Sequence, residues 1–232
     1  MPGETAARRK AGGDPVTEAD LAVDRVLREL LPRDGEGWLS EETVDDDRRL
    51  SCRRVWVVDP VDGTKEFVAG IPEWAVSIGL VEDGQPVAGG ILNPAEGVTV
   101  LGAAGHGLTW NGEPAGVTSR AGLDGAVVLA SRSELKRGEW ARFDGGPFTI
   151  RPTGSVAWKL ALVAAGRADA TWSLVPKHEW DVAAGVALVR AGGGVARALG
   201  ASGMTWNRAE PLCPAMYASG APLAPGIEAL LL

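Results

Sequence analysis

The hexapeptide Asp59-Pro60-Val61-Asp62-Gly63-Thr64 sets two carboxylates one tight turn apart behind a β-rich run, Arg54 to Val58. Asp59 closes that run, where a carboxylate sits at the rim of a sheet, and Asp62 follows so that both can face one cavity. Gly63 and Thr64 open a short helical turn whose unbonded N–H groups make an anion site. Two carboxylates beside an anion cradle suit hard divalent cations bridging to a phosphate. An ordinary Asx turn after a strand has the same local pattern, so the hexapeptide needs partners before it means chemistry. Three more acidic sites stand along the chain: Asp20 after Pro15-Val16-Thr17, Glu41-Glu42 after Leu39-Ser40, and Asp181 after Trp180. Each also has a purely structural explanation: a capping-box acid at Asp20, a solvated loop at Glu41-Glu42, a partner of the helix dipole at Asp181. Asp45-Asp46-Asp47 and the arginines after them read as a solvated stretch.

The elements that position these acids are legible from periodicity. Thr17-Glu18-Ala19-Asp20 has capping-box spacing, and Val23, Val26, Leu27, Leu30 and Leu31 then follow the rule of an amphipathic helix ended by Pro32 and Gly35. Ala75 to Val81 and Val87 to Leu92 flank Asp83-Gly84 as a hairpin, and Val98 to Gly102 and Gly107 to Trp110 are strands before the turn Asn111-Gly112. A looser stretch, Glu113 to Gly125, marks a boundary between two lobes. Ala126 to Ala130 is a strand, Ser155 caps a helix to Ala165 closed by Gly166, and Ala168 to Ser173 is a strand. Trp180 to Ala191 is a second helix, and Gly226 to Leu232 a last one.

Composition narrows the classes. The chain has 232 residues, 45% hydrophobic and 23% charged, which is ordinary for a globular protein of one domain or two small ones. A net charge of −7 argues against binding a nucleic-acid polymer through a basic surface. With only Cys52 and Cys213 there is no disulfide framework, and with only His106 and His178 no histidine metal site. No G-x-S-x-G elbow and no P-loop occur. Lys159 and Arg190 interrupt the longest apolar stretches, so no membrane span is expected. Met1 to Asp14 lacks the apolar core of a signal peptide, and the cytoplasm is the expected compartment.

Asp20 with its lead, Glu41-Glu42, the hexapeptide and Trp180-Asp181 occur in one order from Asp14 to Ala198, and the set resembles the inositol monophosphatase superfamily of magnesium-dependent, lithium-sensitive phosphatases. The D-x-D-G-T motif of haloacid dehalogenases looks similar, but Asp59 stands three residues before Asp62, not two. Lys65-Glu66-Phe67 resembles the 3′(2′),5′-bisphosphate nucleotidase (CysQ-type) branch; the inositol monophosphatase branch usually shows Asn before the Phe. Gly154-Ser155 with Lys159, and Ser131-Arg132-Ser133, are similar to substrate-contacting segments of that branch. Lys159 reads equally as a surface lysine on its helix. Glu134 stands where nucleotidases often have a His, a departure that bears on base or ribose recognition.

The resemblance implies an α/β (α+β) fold, the layered αβαβα sandwich, with an N-terminal lobe (1–115) carrying most metal ligands and a C-terminal lobe (116–232) closing the site. It implies that Glu41, Asp59, Asp62, Asp181 and the Val61 carbonyl hold two or three Mg²⁺ ions that activate a water. Thr64, oriented by Asp20, would relay the water proton. Glu41, Asp62, Gly63, Thr64, Lys159 and Asp181 would contact an anionic small-molecule phosphate ester, with adenosine 3′,5′-bisphosphate hydrolysed to AMP and phosphate. The alternatives are an inositol or sugar-phosphate phosphatase, and a non-catalytic nucleotide- or metal-binding sensor. Similar chains carry a long helix ahead of the segment matching Asp14 to Asp20. Met1 to Gly13 has no such apolar periodicity, so either the natural chain starts upstream or the face left bare is buried in a homodimer.

Overall fold

Runs rich in Val, Ile and Leu between Gly37 and Ala115 pair into one seven-stranded sheet. The structure, a computed structural model, describes residues 15–200 and 203–231 and the pair Arg8–Arg9. Arg8–Arg9 (β1) pairs with Pro15–Val16 (β2), and helix α1 (Glu18–Leu30) follows. The rest of Met1 to Gly13, on which the expectation about the chain's beginning falls, lies outside the described residues. The sheet contains β3 (Gly37–Ser40), β4 (Arg54–Asp62), β5 (Ala75–Glu82), β6 (Gln85–Asn93), β7 (Val98–Ala103), β8 (Gly107–Trp110) and β9 (Glu113–Ala115) in chain order. Only β3 and β4 run parallel. Asp83-Gly84 and Asn111-Gly112 have positive φ at both positions, as two-residue hairpin turns require. A five-residue helix, α2 (Thr64–Val68), follows β4.

The second sheet has the order β11-β10-β12-β16-β14, built from β10 (Val127–Ser131), β11 (Thr149–Thr153), β12 (Ala170–Ser173), β14 (Gly194–Ala198) and β16 (Met216–Gly220). A separate two-residue ladder joins β13 (Lys177–His178) to β15 (Leu212–Cys213). The helices are α3 (Arg132–Lys136), α4 (Val156–Ala164), α5 (Glu179–Ala191) and α6 (Ala224–Leu231). α1 packs on β4, the α4–α5 pair lies between the sheets, and α6 covers β16, so the layers run αβαβα. Both central helices are apolar nearly all round, as helices buried on two sides must be. On the far side of the second sheet, Trp140 stacks on Trp172 at 4.9 Å among Val128, Phe143, Tyr217 and Ile227.

Several boundaries differ from the periodicity. β4 does not stop at Val58 but runs through Asp62, with an irregularity in its pairing between Asp59 and Asp62. Residues 113–115 of the turn-rich stretch pair as an edge strand. β3, β11 and α3 are too short to carry a periodic signal. The largest departure is α1. Its buried residues are Asp20 and Asp24, while Val26 and Leu30 are 47% and 72% exposed. The inward face of this helix is acidic because it lies over hydroxyls: Asp24 accepts hydrogen bonds from Ser40 Oγ and from Thr43 Oγ1 at 2.7 Å.

α5 reaches the first sheet through two glycines. A Cβ on Gly89 would sit 2.4 Å from the Ala184 carbonyl oxygen, and one on Gly79 would sit 2.9 Å from the Ala184 nitrogen. Gly89→Ala is therefore expected to push α5 off the sheet and lower stability by about 1–3 kcal/mol, the usual size of an overpacking penalty. Urea denaturation checks this, with a loss below 0.5 kcal/mol as the contrary result.

Candidate active site

Asp59 and Asp62 come from the end of β4, and Asp181 comes from the first turn of α5. One carboxylate oxygen from each lies within 4.8 Å of the others. Each side chain is tied to a protein donor. Asp59 Oδ1 accepts from the Val61 N–H at 3.0 Å, and Asp181 Oδ2 accepts from the His178 N–H at 3.1 Å. Asp62 Oδ2 accepts from Ser155 Oγ at 2.6 Å and from the Ala157 N–H at 2.5 Å, which seats it on the start of α4. Ser155 caps that helix by accepting from the Trp158 N–H.

This crowding has an electrostatic consequence. Burial, then the charges of Glu41, Asp62 and Asp181, push the Asp59 carboxyl well above the usual carboxylate range. Burial and the charges of Asp62 and Glu41 do the same to Asp181, with Lys177 pulling the other way. Buried acids that repel one another accept protons or a cation. The donor set is all oxygen and hard, so it fits Mg²⁺, which Glu41, Asp59, Asp62, Asp181 and the Val61 carbonyl would hold.

α2 begins beside this cluster, at the turn where the sequence predicts an anion cradle. Gly63 precedes it at φ 92°, and a Cβ there would meet the Glu73 carbonyl oxygen at 3.0 Å and Ser155 Cβ at 3.2 Å, so both conformation and space demand glycine. Thr64 Oγ1 lies 3.0 Å from the Val61 carbonyl and 3.3 Å from Asp20 Oδ1, so its single proton can go to either acceptor. Asp20 itself is buried behind Thr64, held by the Thr17 N–H at 2.9 Å.

A cavity of about 250 Å³ joins these parts. Glu41, Asp59, Val61, Asp62, Gly63, Thr64, Lys159 and Asp181 all line it, so the residues singled out in the sequence converge, with Asp20 one layer back. Lys159 is not a surface lysine. It is 4% exposed, its Nζ donates to the Ser155 carbonyl at 3.0 Å, and burial pulls its pKa down to about 8. Ser131 and Ser133 line the cavity, but Arg132 turns away into a bidentate pair with Glu73 at 2.6 and 2.8 Å. Asp45 is not merely solvated: it pairs with Arg49, whose guanidinium is buried against Asn207 and the Arg208 carbonyl. Glu66 of the Lys65-Glu66-Phe67 segment also lines the cavity, as do Lys177 and Arg137, which carry no motif that marks them.

A family model described as the inositol monophosphatase family matches residues 3–229. The chain belongs to this family. As an inositol monophosphatase-family phosphatase it sits among metal-dependent hydrolases. It is 39% identical to an inositol-1-monophosphatase of Mesorhizobium japonicum over 194 residues, 80% of this chain and 72% of that one. The IMPase of Thermotoga maritima superposes with a TM-score of 0.84 at 27% identity, covering 99% of this chain and 89% of that one. CysQ of Bacteroides thetaiotaomicron, a bacterial member of the same family, superposes with a TM-score of 0.78 at 28% identity over 91% and 86% of the two chains. Among the described residues no helix is long and apolar enough to cross a membrane.

Raised carboxyl pKa values link the site to stability. Asp59 and Asp181 hold protons in the fold that the unfolded chain releases near pH 4, so without a cation their protonation stabilises at low pH and that stability is lost as pH rises through the raised range. In EDTA at pH 7, Asp59→Asn is expected to raise the Tm by about 2–4 °C per kcal/mol of relieved repulsion. Adding Mg²⁺ should raise the wild-type Tm and leave the variant nearly unmoved. A wild-type Tm indifferent to Mg²⁺ would sink this account of the cluster.

Proposed function

We propose that this chain is a cytoplasmic, Mg²⁺-dependent and Li⁺-sensitive phosphomonoesterase whose preferred substrate is adenosine 3′,5′-bisphosphate. The observation that carries this reading is a single cavity lined by charge of both signs: an acidic pole of Glu41, Asp59, Asp62 and Asp181, and a lysine pole at the buried ammonium of Lys159. A neutral polyol gives a buried lysine nothing of opposite charge, whereas a substrate with a second phosphate does. Lys65-Glu66-Phe67 after the cradle supports the nucleotidase branch. The curated relatives named inositol-1-monophosphatase favour a second reading, inositol 1-phosphate as substrate.

Glu41, Asp59, Asp62, Asp181 and the Val61 carbonyl would hold Mg²⁺, which would supply Lewis-acid charge to activate a water. The protein's own part is to orient and to move a proton. Gly63 and Thr64 direct N–H groups at phosphate oxygens. Thr64 Oγ1 passes its proton to Asp20 as it takes one from the attacking water. The lobes 1–115 and 116–232 contribute the acidic and the lysine pole respectively, apart from Asp181. The exposed Val26 and Leu30 on α1 would pair in a homodimer; sedimentation velocity checks this, and a monomer overturns it.

Phosphate release from adenosine 3′,5′-bisphosphate, inositol 1-phosphate and fructose 1,6-bisphosphate, with and without Mg²⁺, tests the whole proposal. Release from none means a binding protein, and a preference for inositol 1-phosphate refutes the branch. Thr64→Ala and Asp20→Asn are each expected to lower kcat about 10²–10⁴-fold, and the double variant little further, because residues acting as one unit are non-additive. Additive losses would end the relay. With Lys159 charged only below about pH 8, KM for the bisphosphate should be flat below that pH and rise above it; a KM unchanged to pH 9.5 would exclude Lys159 from the anion contact.

A further inference from the structure

The lysine pole has a second member that no sequence motif marks. Lys177 lines the cavity, and with Lys159 it also lines a small adjoining recess beside Ser131 and Trp172. Its backbone is fixed on both sides. It pairs with Cys213 in the β13–β15 ladder, and the next residue, His178, is the N-cap of α5.

Its side chain is steered by Glu134, the residue that departs from the nucleotidase pattern. Glu134 is 1% exposed, and its carboxylate is anchored: Oε2 accepts from Trp140 Nε1 at 3.0 Å, and Oε1 lies 3.1 Å from Ser173 Oγ and 3.2 Å from Lys177 Nζ. Trp140 cannot easily yield, because it is stacked on Trp172 in the second core. An ammonium carries three N–H donors, and Glu134 takes one of them. Lys177 also sits near enough to Lys159 and Asp181 for its charge to lower the pKa of both. Arg137 at the cavity's rim is paired with Glu139, whereas in the recess the one carboxylate of Glu134 faces the two ammonium groups of Lys159 and Lys177, so the recess carries one more positive than negative charge, which an anion beside it would neutralise.

We infer that Lys177, held in place by Glu134, is a specificity-determining residue that binds the phosphate a substrate carries in addition to the one cleaved. This rests on the phosphomonoesterase reading above and extends it: the second phosphate lies between Lys159 and Lys177, beside the recess that both line. Glu134 acts through Lys177, as a positioning residue.

The test compares KM and kcat for adenosine 3′,5′-bisphosphate and adenosine 3′-monophosphate in the Mg²⁺-loaded enzyme. The wild type should show a KM at least tenfold lower for the bisphosphate. Lys177→Met should raise the bisphosphate KM about 10–100-fold more than the monophosphate KM, the loss expected for one hydrogen bond to a charged group. Its effect on kcat should be the same factor for both esters, and Lys177→Arg should keep most of the preference. If Lys177→Met does not fold, Lys177→Gln, which retains a donor for Glu134 without the charge, gives the same readout. A wild-type preference that survives both neutral variants would overturn the assignment of Lys177 while leaving the bisphosphate reading intact. A wild type with no preference would overturn the bisphosphate reading and this inference with it.

Discussion

The site depends on one contact, the seating of the Asp62 carboxylate on the first turn of α4. The two hydrogen bonds to Asp62 Oδ2 come from Ser155 and Ala157, residues on a helix between the two sheets, while Asp62 itself ends a strand of the first sheet. A carboxylate at a helix start is favoured by the exposed N–H groups and the helix dipole together. That is enough to hold a charged group beside Asp59 and Asp181 despite their repulsion. It also fixes where the start of α2 lies relative to α4, since a Cβ on Gly63 would come within 3.2 Å of Ser155 Cβ.

The hexapeptide was legible because its chemistry is local: strand end, turn and helix start lie within six consecutive residues, and hydrophobic periodicity outlines the strand ahead of it. Asp181 and Asp20 were legible as acids at helix starts, and only their order along the chain, compared with a known pattern, connected them to the hexapeptide. The apolar spacing of α1 misled in one respect. It located the helix correctly but not its inward face, since Asp20 and Asp24 are spaced like a core stripe and are buried by hydroxyls instead of by carbon. Lys177 was beyond reach. What brings it to the cavity is a two-residue ladder to Cys213 and a carboxylate 43 residues upstream, neither of which leaves a periodic trace.

Arg49 shows the same limit on the structural side. Its guanidinium is buried and binds Asp45, Asn207 and the Arg208 carbonyl, while Glu179 accepts from the N–H groups of Asn207 and Arg208. This network straps the helical turn at residues 48–51, through Asn207 and Arg208, to Glu179, the first residue of α5, two positions before Asp181. Buried charges paired with several donors are costly to strip of a single partner. Their position beside the start of α5 gives that cost a consequence: the direction of Asp181 is set by the strap as well as by its own bond to His178.

Ser155 then explains how a cavity can hold opposite charges without collapsing into a salt bridge. Its hydroxyl donates to Asp62, and its carbonyl accepts from Lys159 Nζ. Acid and ammonium are thus each satisfied by the same residue, on two sides of one peptide, and neither has to reach the other. Holding both contacts requires a backbone at φ 54°, ψ 127°, a conformation that side-chain-bearing residues rarely adopt and that costs about 1–3 kcal/mol. Glycine would relieve that strain but would lose the hydroxyl that caps α4 and anchors Asp62. Alanine would keep the strain and lose the hydroxyl as well. Serine is the small residue that keeps the carboxylate pole and the lysine pole apart across a single turn of chain, and that separation is what allows one phosphate to meet the acids' cations while another meets the lysines.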